Sequence, residues 1–298
     1  MRFRFMIVGL DVGASLIKGI LVDDDLNIVR GCVLPAERPE INSIKVLDFL
    51  LEGSKDYKSA ITCIAASGGG SRFLSGEILG LAVRRVDEIR AVGLGGLALA
   101  NRDKGLIVSA GTGTAIVAAY RSGGIVKHVC GTAVGGGTIV GLSRRILGVS
   151  DFKVLEDMAS KGNPNNVDLM VGDIVGGPIG MVPADATASN LGKLSCKSSV
   201  EDVAAGIFNM VSQTIGVIAA MAAKAYRLED SVILVGMLAK SKIFSRITCE
   251  TAKLFGAEVL VPKNCEFAGA LGAAISILWE ERSRGFRIYG RGRGYPRR

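Results

Sequence analysis

The spacing of apolar positions changes period in an ordered way along the chain. Residues 5–13, FMIVGLDVG, form a near-continuous apolar run of strand length, and residues 18–34, KGILVDDDLNIVRGCVL, read as two extended runs around a DDD turn. KVLDFLLEG (45–53) has helical spacing, and AITCIAAS (60–67) reads as another strand. The first third is therefore predicted as βββαβ. After Asn101–Lys104 the same grammar restarts with GLIVSAGTG (105–113), then TAIVAAYRSGGIVKHV (114–129) as two runs around an SGG turn, followed by several helices. Residues 200–228 are predicted as one long helix, SVILVGM (231–237) as a buried strand opening on Gly236, and KIFSRITCETAKLFG (242–256) as a helix. A strand in AEVLVP (257–262) and a closing helix in FAGALGAAISILWEE (267–281) complete the pattern.

The restart is also a repeat. Residues 11–32 lie over residues 109–130 without a gap, so that Gly13 falls on Gly111, the DDD turn on the RSG turn, and Cys32 on Cys130. Two halves, each headed by a glycine-bent hairpin, resemble the duplicated ribonuclease H-like domains of actin-like ATPases, an α/β class that holds nucleotide in the cleft between halves. The expected division is residues 1–104, residues 105–281 and a tail, 282–298.

Composition narrows the function. With 298 residues, 49% hydrophobic, 21% charged and 40 glycines, the chain has material for two buried cores. The net charge of +8 is misleading, because the tail RSRGFRIYGRGRGYPRR carries seven arginines and no acid, and the remainder is nearly neutral. Such tails are more often only solvated than bound to RNA, so no nucleic-acid function is read from it. MRFRFMIVGLD reaches an acid too soon for a signal peptide, and the apolar stretch Val203 to Ala223 contains Asn209, Ser212 and Gln213, which favours a buried helix over a membrane span. Six cysteines without a CxxC pair point to a reducing, cytoplasmic setting. One histidine leaves almost no ligands for zinc, so a metal here should be Mg²⁺ held by oxygen.

Three glycine-rich runs carry the candidate chemistry. In DVGASLIK (11–18), Gly13 permits a tight turn, with Ala14 and Ser15 at its tip; Asp11 can hold Mg²⁺ through water, and Lys18 can reach a transferred phosphoryl group. GTGTA places Gly111, Thr112 and Gly113, followed by Thr114 and Ala115, where a second hairpin would approach the β and γ phosphates of ATP. In GTAVGGGTIVGL, Gly135, Gly136 and Gly137 precede an apolar helical pattern, which puts them at a helix N-terminus with amides available to an anion. VDEIRAVG (86–93) sets Asp87 as an N-cap and Glu88 in the first turn, a pattern that by itself describes an ordinary helix-start acid.

DVGASLIK, SAGTGTAIV, GTAVGGGTIVGL, LEDMASKGNPNNVDLMVGDIVGG (155–177) and TASNLGK (187–193) stand in the order and spacing of the type II pantothenate kinases, and the chain resembles that family up to about Trp279. The resemblance implies an ATP- and Mg²⁺-dependent homodimer that phosphorylates pantothenate to 4'-phosphopantothenate on the way to coenzyme A. It implies that Glu88 takes the proton from the pantothenate hydroxyl, that Lys18 binds phosphate, and that Gly111–Gly113 and Gly135–Gly137 form the nucleotide loops; Gly236, where the buried strand opens, is a further nucleotide-side candidate. Two substrate-side positions depart from the pattern. Ala115 stands where the family has Ser, and His128 where it has Arg, a fixed forked cation that a mostly neutral imidazole does not replace. Val175 replaces a frequent Tyr. A kinase of the same superfamily with another hydroxylated acceptor therefore stays open, as does a non-catalytic nucleotide-binding or activator protein.

Overall fold

The computed structural model describes residues 5–52, 60–180 and 182–283; the arginine-rich tail beyond them lies outside the described residues. Two mixed sheets organise the chain. In the first, β1 (Met6–Val12), β2 (Leu16–Val22) and β3 (Ile28–Pro35) form an antiparallel meander. β4 (Ile61–Ser67) lies parallel to β1, β6 (Leu81–Arg85) parallel to β4, and the two-residue β5 (Glu77–Ile78) closes the edge, giving the order β3-β2-β1-β4-β6-β5. The second sheet repeats the plan: β7 (Lys104–Ala110), β8 (Thr114–Tyr120) and β9 (Ile125–Thr132) form the meander, and β12 (Val232–Val235) lies parallel to β7 with β13 (Val259–Leu260) beyond it. A small hairpin of β10 (Leu169–Met170) and β11 (Thr187–Ser189) stands apart.

The ungapped repeat needs one correction. Val12 pairs with Ile17 across a four-residue turn, whereas Ala110 pairs with Thr114 across three. The return strand of the second hairpin is therefore one residue out of step: Lys18 faces Asp11 in the ladder, and the residue facing Ser109 is Ala115 rather than Ile116. The step is recovered at the next strand, since Cys32 pairs with Gly19 and Cys130 with Ile116. A one-residue slip in a strand turns every side chain to the other face, so sequence overlay and spatial equivalence part company here.

Helices layer on these sheets. α1 (Pro39–Leu51) covers one face of the first sheet, where Val46, Leu47 and Leu50 pack with Met6, Val8, Leu10 and Ile17. The last helix, α8 (Ala268–Ser283), returns to cover the opposite face, its Ala270, Leu271, Ala274 and Ile277 packing with Ile7, Ile20 and Ala65. α2 (Glu88–Ala100) covers the second sheet, and α6 (Val200–Tyr226) covers its other face as the centre of the largest core. The remaining helices are α3 (Gly136–Leu147), α4 (Phe152–Lys161), the single turn α5 (Val171–Val175) and α7 (Lys242–Leu254).

The halves meet where α2 crosses α8 almost backbone to backbone. A Cβ placed on Gly95 would lie 1.8 Å from the Ala268 carbonyl oxygen, and one on Gly272 would lie 1.7 Å from that of Ala91. No side chain fits there, so the crossing depends on glycine. α6 is long and apolar enough to cross a membrane, but most of it is buried in the protein, including Asn209 and Ser212.

Candidate functional site

The carboxyl ends of β1, β4 and β6 and the two hairpin turns lie close together. Asp11, next to last in β1, faces Lys18 in the β1–β2 ladder, and the two form an ion pair of 2.9 Å with side chains only 14% and 12% exposed. Such a pair needs its partner, since either charge alone would be poorly solvated there. Gly13 turns the hairpin with its N–H donating to the Leu16 carbonyl at 3.0 Å, and a Cβ on it would lie 3.7 Å from the Lys18 Nζ. Ala14 and Ser15 stand exposed at the tip.

The second hairpin comes directly against the first. Ser15 Oγ and Thr112 Oγ1 share a hydrogen bond of 2.9 Å across 97 residues of sequence. The third glycine run then locks onto the second hairpin: the N–H of Gly136 donates to the Gly111 carbonyl at 2.8 Å, and that of Gly137 to the Thr112 carbonyl at 2.9 Å. The Gly135 N–H meets Thr138 Oγ1 at 3.2 Å, and Gly135 caps α3 as the sequence predicts. These contacts correct one expectation. The amides of Gly13, Gly111, Gly135, Gly136 and Gly137 are used to build the loops, because a sharp turn satisfies its own donors first. Among the described residues, the amides of Ala14, Ser15, Thr112 and Gly113 have no backbone acceptor.

Gly236, at the end of β12 with φ 97°, presses on β7: a Cβ there would lie 2.3 Å from the Ala110 carbonyl oxygen. Thr114 is buried and its hydroxyl donates to the Val134 carbonyl at 2.9 Å, so it holds the hairpin to the α3 loop. Ala115 pairs with Gly131, and a Cβ on Gly131 would lie 3.8 Å from His128 Nε2, which gathers Ala115, Gly131 and His128 on one stretch of β8 and β9. His128 is exposed and, among the described residues, has no hydrogen bond or ion pair. Alternation puts it on the face of Val126, which meets Gly93 of α2, while Lys127 Nζ sits 5.3 Å from the Tyr226 ring on the α6 side.

Glu88 opens α2, capped by Asp87, whose carboxylate accepts from the Arg90 N–H at 2.9 Å. The strand before it lies beside β4, and the Val86 N–H donates to the Ala66 carbonyl at 2.8 Å, which carries Glu88 to the same sheet edge as Asp11. Glu88 is exposed as a whole residue, yet partial desolvation of its carboxyl is the main cause of a raised pKa. The Asp11 charge pushes it further up, while Lys18 and a backbone hydrogen bond from Gly69 pull it down. A carboxylate so held is a better proton acceptor near neutral pH than an ordinary glutamate. Asp11 is a single, partly buried carboxylate near the carboxyl end of β1, an oxygen donor of the kind that suits Mg²⁺ completed by water.

Sequence reasoning missed two features. One is Ser67-Gly68-Gly69-Gly70, which follows β4 beside Asp11 and Glu88; its signal was a run of three glycines at a strand end, the same signal used for Gly135–Gly137. The other is a buried polar cluster joining segments 155–177 and 187–193. Asp168, with no exposed surface, accepts from the Leu191 N–H and from Asn209 Nδ2, both at 2.7 Å, and Thr187 Oγ1 accepts from Asn209 and Gln213.

Comparison with known proteins agrees with this architecture. The chain is 25% identical over 278 residues, 90% of its length and 98% of the relative's, to the type II pantothenate kinase of Staphylococcus aureus strain bovine RF122 / ET3-1. Its fold is similar to that of the ADPNP-bound activator of 2-hydroxyisocaproyl-CoA dehydratase from Clostridium difficile, with a TM-score of 0.68, 18% identity, and 97% and 100% of the two chains covered. It is also similar to a ROK family glucokinase from Streptomyces griseus, with a TM-score of 0.57, 14% identity, and 91% and 98% covered. These place it in the actin-like ATPase fold. The Fumble family model matches residues 105–276, more than half the chain, and the protein belongs to that family, the type II pantothenate kinases, as a phosphotransferase with an alcohol as acceptor.

Proposed function

We propose that this protein transfers the γ-phosphoryl group of ATP to the hydroxyl of pantothenate, in coenzyme A synthesis, as a cytoplasmic homodimer. The observation that carries the reading is the nearness of Glu88, whose pKa is raised, to the Asp11–Lys18 pair, with the Gly111–Gly113 hairpin hydrogen-bonded to the turn between Asp11 and Lys18. We take residues 1–104 and 105–281 as the two jaws, with α8 lent back to the first. The amides of Ala14, Ser15, Thr112 and Gly113 receive the phosphate oxygens, Gly135–Gly137 hold that hairpin rigid, and Gly236 bounds the nucleoside side. Lys18 neutralises charge on the transferred group. Asp11 would hold Mg²⁺, which neutralises the phosphates when bound.

Glu88 accepts the proton of the acceptor hydroxyl. The alcohol oxygen forms its bond to the γ-phosphorus as the bond from that phosphorus to the bridging oxygen breaks, and ADP leaves with the electron pair. Because Glu88 must be ionised and its pKa is raised, turnover is lost as pH falls through a value above the ordinary glutamate range. Ala115 and His128 form the acceptor side with the backbone of Thr114, and they decide which alcohol is used. ADP release measured with pantothenate beside related hydroxy acids and sugars tests the assignment. Saturable release with pantothenate supports it, and turnover of another alcohol in its absence replaces it.

A further inference from the structure

The carboxylate of Asp11 lies in a notch with a glycine beside each oxygen. Gly68, just after β4 and at φ 83°, approaches one of them: a Cβ on it would lie 2.8 Å from Asp11 Oδ1. Gly269, buried in the first turn of α8, approaches the other, and a Cβ there would lie 2.9 Å from both Asp11 Cγ and Oδ2. Lys18 Nζ pairs with that same Oδ2 at 2.9 Å.

The backbone that carries Gly269 has little room to retreat. The carbonyl oxygen of Ala268, the residue before it, lies 1.8 Å from where a Cβ on Gly95 would stand, so α2 packs directly against this turn. The fully buried Ser67, beside Asp11 in the β1–β4 ladder, donates its hydroxyl to the Gly269 carbonyl at 3.4 Å. Upstream, the Cys265 carbonyl accepts from the Gly236 N–H at 2.9 Å. A methyl group added at position 269 would therefore have a fixed helix turn behind it and, in front, the end of a side chain that can change rotamer. The side chain gives way first.

We infer that Gly269 is a positioning residue for Asp11: by carrying no side chain it leaves the carboxylate its place against Lys18, and so sets the oxygen donor offered to Mg²⁺. Groups that orient a metal-binding side chain typically change metal affinity or activity about ten- to hundredfold when altered. The inference rests on Asp11 serving Mg²⁺ in the proposed reaction.

Gly269→Ala tests it. Its melting temperature should fall much less than that of Gly272→Ala, whose Cβ would lie 1.7 Å from the Ala91 carbonyl oxygen and has only backbone to displace. Affinity for a Mg²⁺-loaded, non-hydrolysable ATP analogue, measured by calorimetry on the full chain, should fall about tenfold or more, while affinity for the metal-free analogue does not fall. That loss should vanish when Gly269→Ala is made in an Asp11→Asn background, because a residue acting only through Asp11 then has nothing to act through. An equal loss in both backgrounds overturns the inference, as does unchanged affinity in Gly269→Ala where Asp11→Asn alone lowers it. Should Gly269→Ala melt far lower, adding Asp11→Ala empties the notch: recovery of the melting temperature supports the inference, and no recovery means that the backbone gave way and overturns it. A crystal structure of Gly269→Ala is expected to show Asp11 Oδ2 more than about 4 Å from Lys18 Nζ, and an intact pair overturns the inference. Asp11→Asn alone separates the two readings. Unchanged affinity for the loaded analogue in that variant takes Asp11 away from the metal, whereas the crystal structure still decides whether Gly269 places it.

Discussion

The two hairpins descend from one plan and are built with different chemistry. The β1–β2 hairpin has a four-residue turn and keeps its charges at the strand ends, with Asp11 and Lys18 paired at 2.9 Å. The β7–β8 hairpin turns in three residues and has no charge at the equivalent rungs, where Ser109 faces Ala115; it is stiffened instead by Gly136 and Gly137, which donate to its carbonyls. The first half thus presents charge and a titrating acid, and the second presents neutral donors on a rigid frame. A phosphoryl transfer site needs both, because positioning and charge stabilisation together account for most of the rate. In the proposed reaction the complete site depends on the two hairpins meeting, and the Ser15–Thr112 hydrogen bond joins them.

This contrast can be broken from the first half with Glu88→Gln. Turnover should fall by about two to four orders of magnitude while ATP affinity, measured by calorimetry, stays nearly constant. A parallel loss of both would make Glu88 a structural first-turn residue. From the second half, Gly135→Ala would bring a methyl group within 2.6 Å of the Thr112 carbonyl oxygen. It is expected to raise KM for ATP about tenfold or more with a smaller change in kcat, since it deforms the frame and not the acid. An effect confined to kcat would contradict the division between the halves.

The proposed acceptor side is on the second half, and there His128→Arg with Ala115→Ser restores the donors of the family pattern. If pantothenate is a secondary substrate of the native protein, kcat/KM for it should rise about tenfold or more, because a fixed cation acts where charge develops. A fall in kcat/KM would mean that the pocket is rebuilt around His128 for the same alcohol. The smallest effect belongs to Ser15→Ala. The hydroxyl pair it removes is exposed, and such bonds contribute about 0.5–1.5 kcal/mol, so melting temperature and turnover should each change only slightly. A tenfold loss would make the pair part of the reacting geometry.

The sequence made much of this visible. Strand length runs, helix spacing and the restart after Lys104 foretold both meanders, and Asp87 was readable as an N-cap because a short acid before an apolar run meets the free amides of a helix start. Gly135 as the start of α3 was readable for the same kind of local reason. The resemblance to type II pantothenate kinases singled out Glu88, whose local pattern alone was that of any first-turn acid. Hidden were the features set by contacts between distant segments. Turn length in the second hairpin is one residue shorter than an ungapped overlay gives, and no local propensity reports it, because glycine and threonine suit three-residue and four-residue turns alike.

What the sequence determined by itself is the set of elements and the duplicated order in which they come, since these follow from hydrophobic period and turn residues within reach of one another. What only the tertiary structure decided is which donors remain unused and which acid is perturbed. The amides of Gly136 and Gly137 were spent on the neighbouring hairpin, and the helix crossing at Gly95 and Gly272 fixed the two halves together. Glu88 became a candidate base through desolvation and the charge of Asp11, 77 positions earlier in the chain. Burial and charge act through space, and sequence separation carries no record of them until the chain has folded.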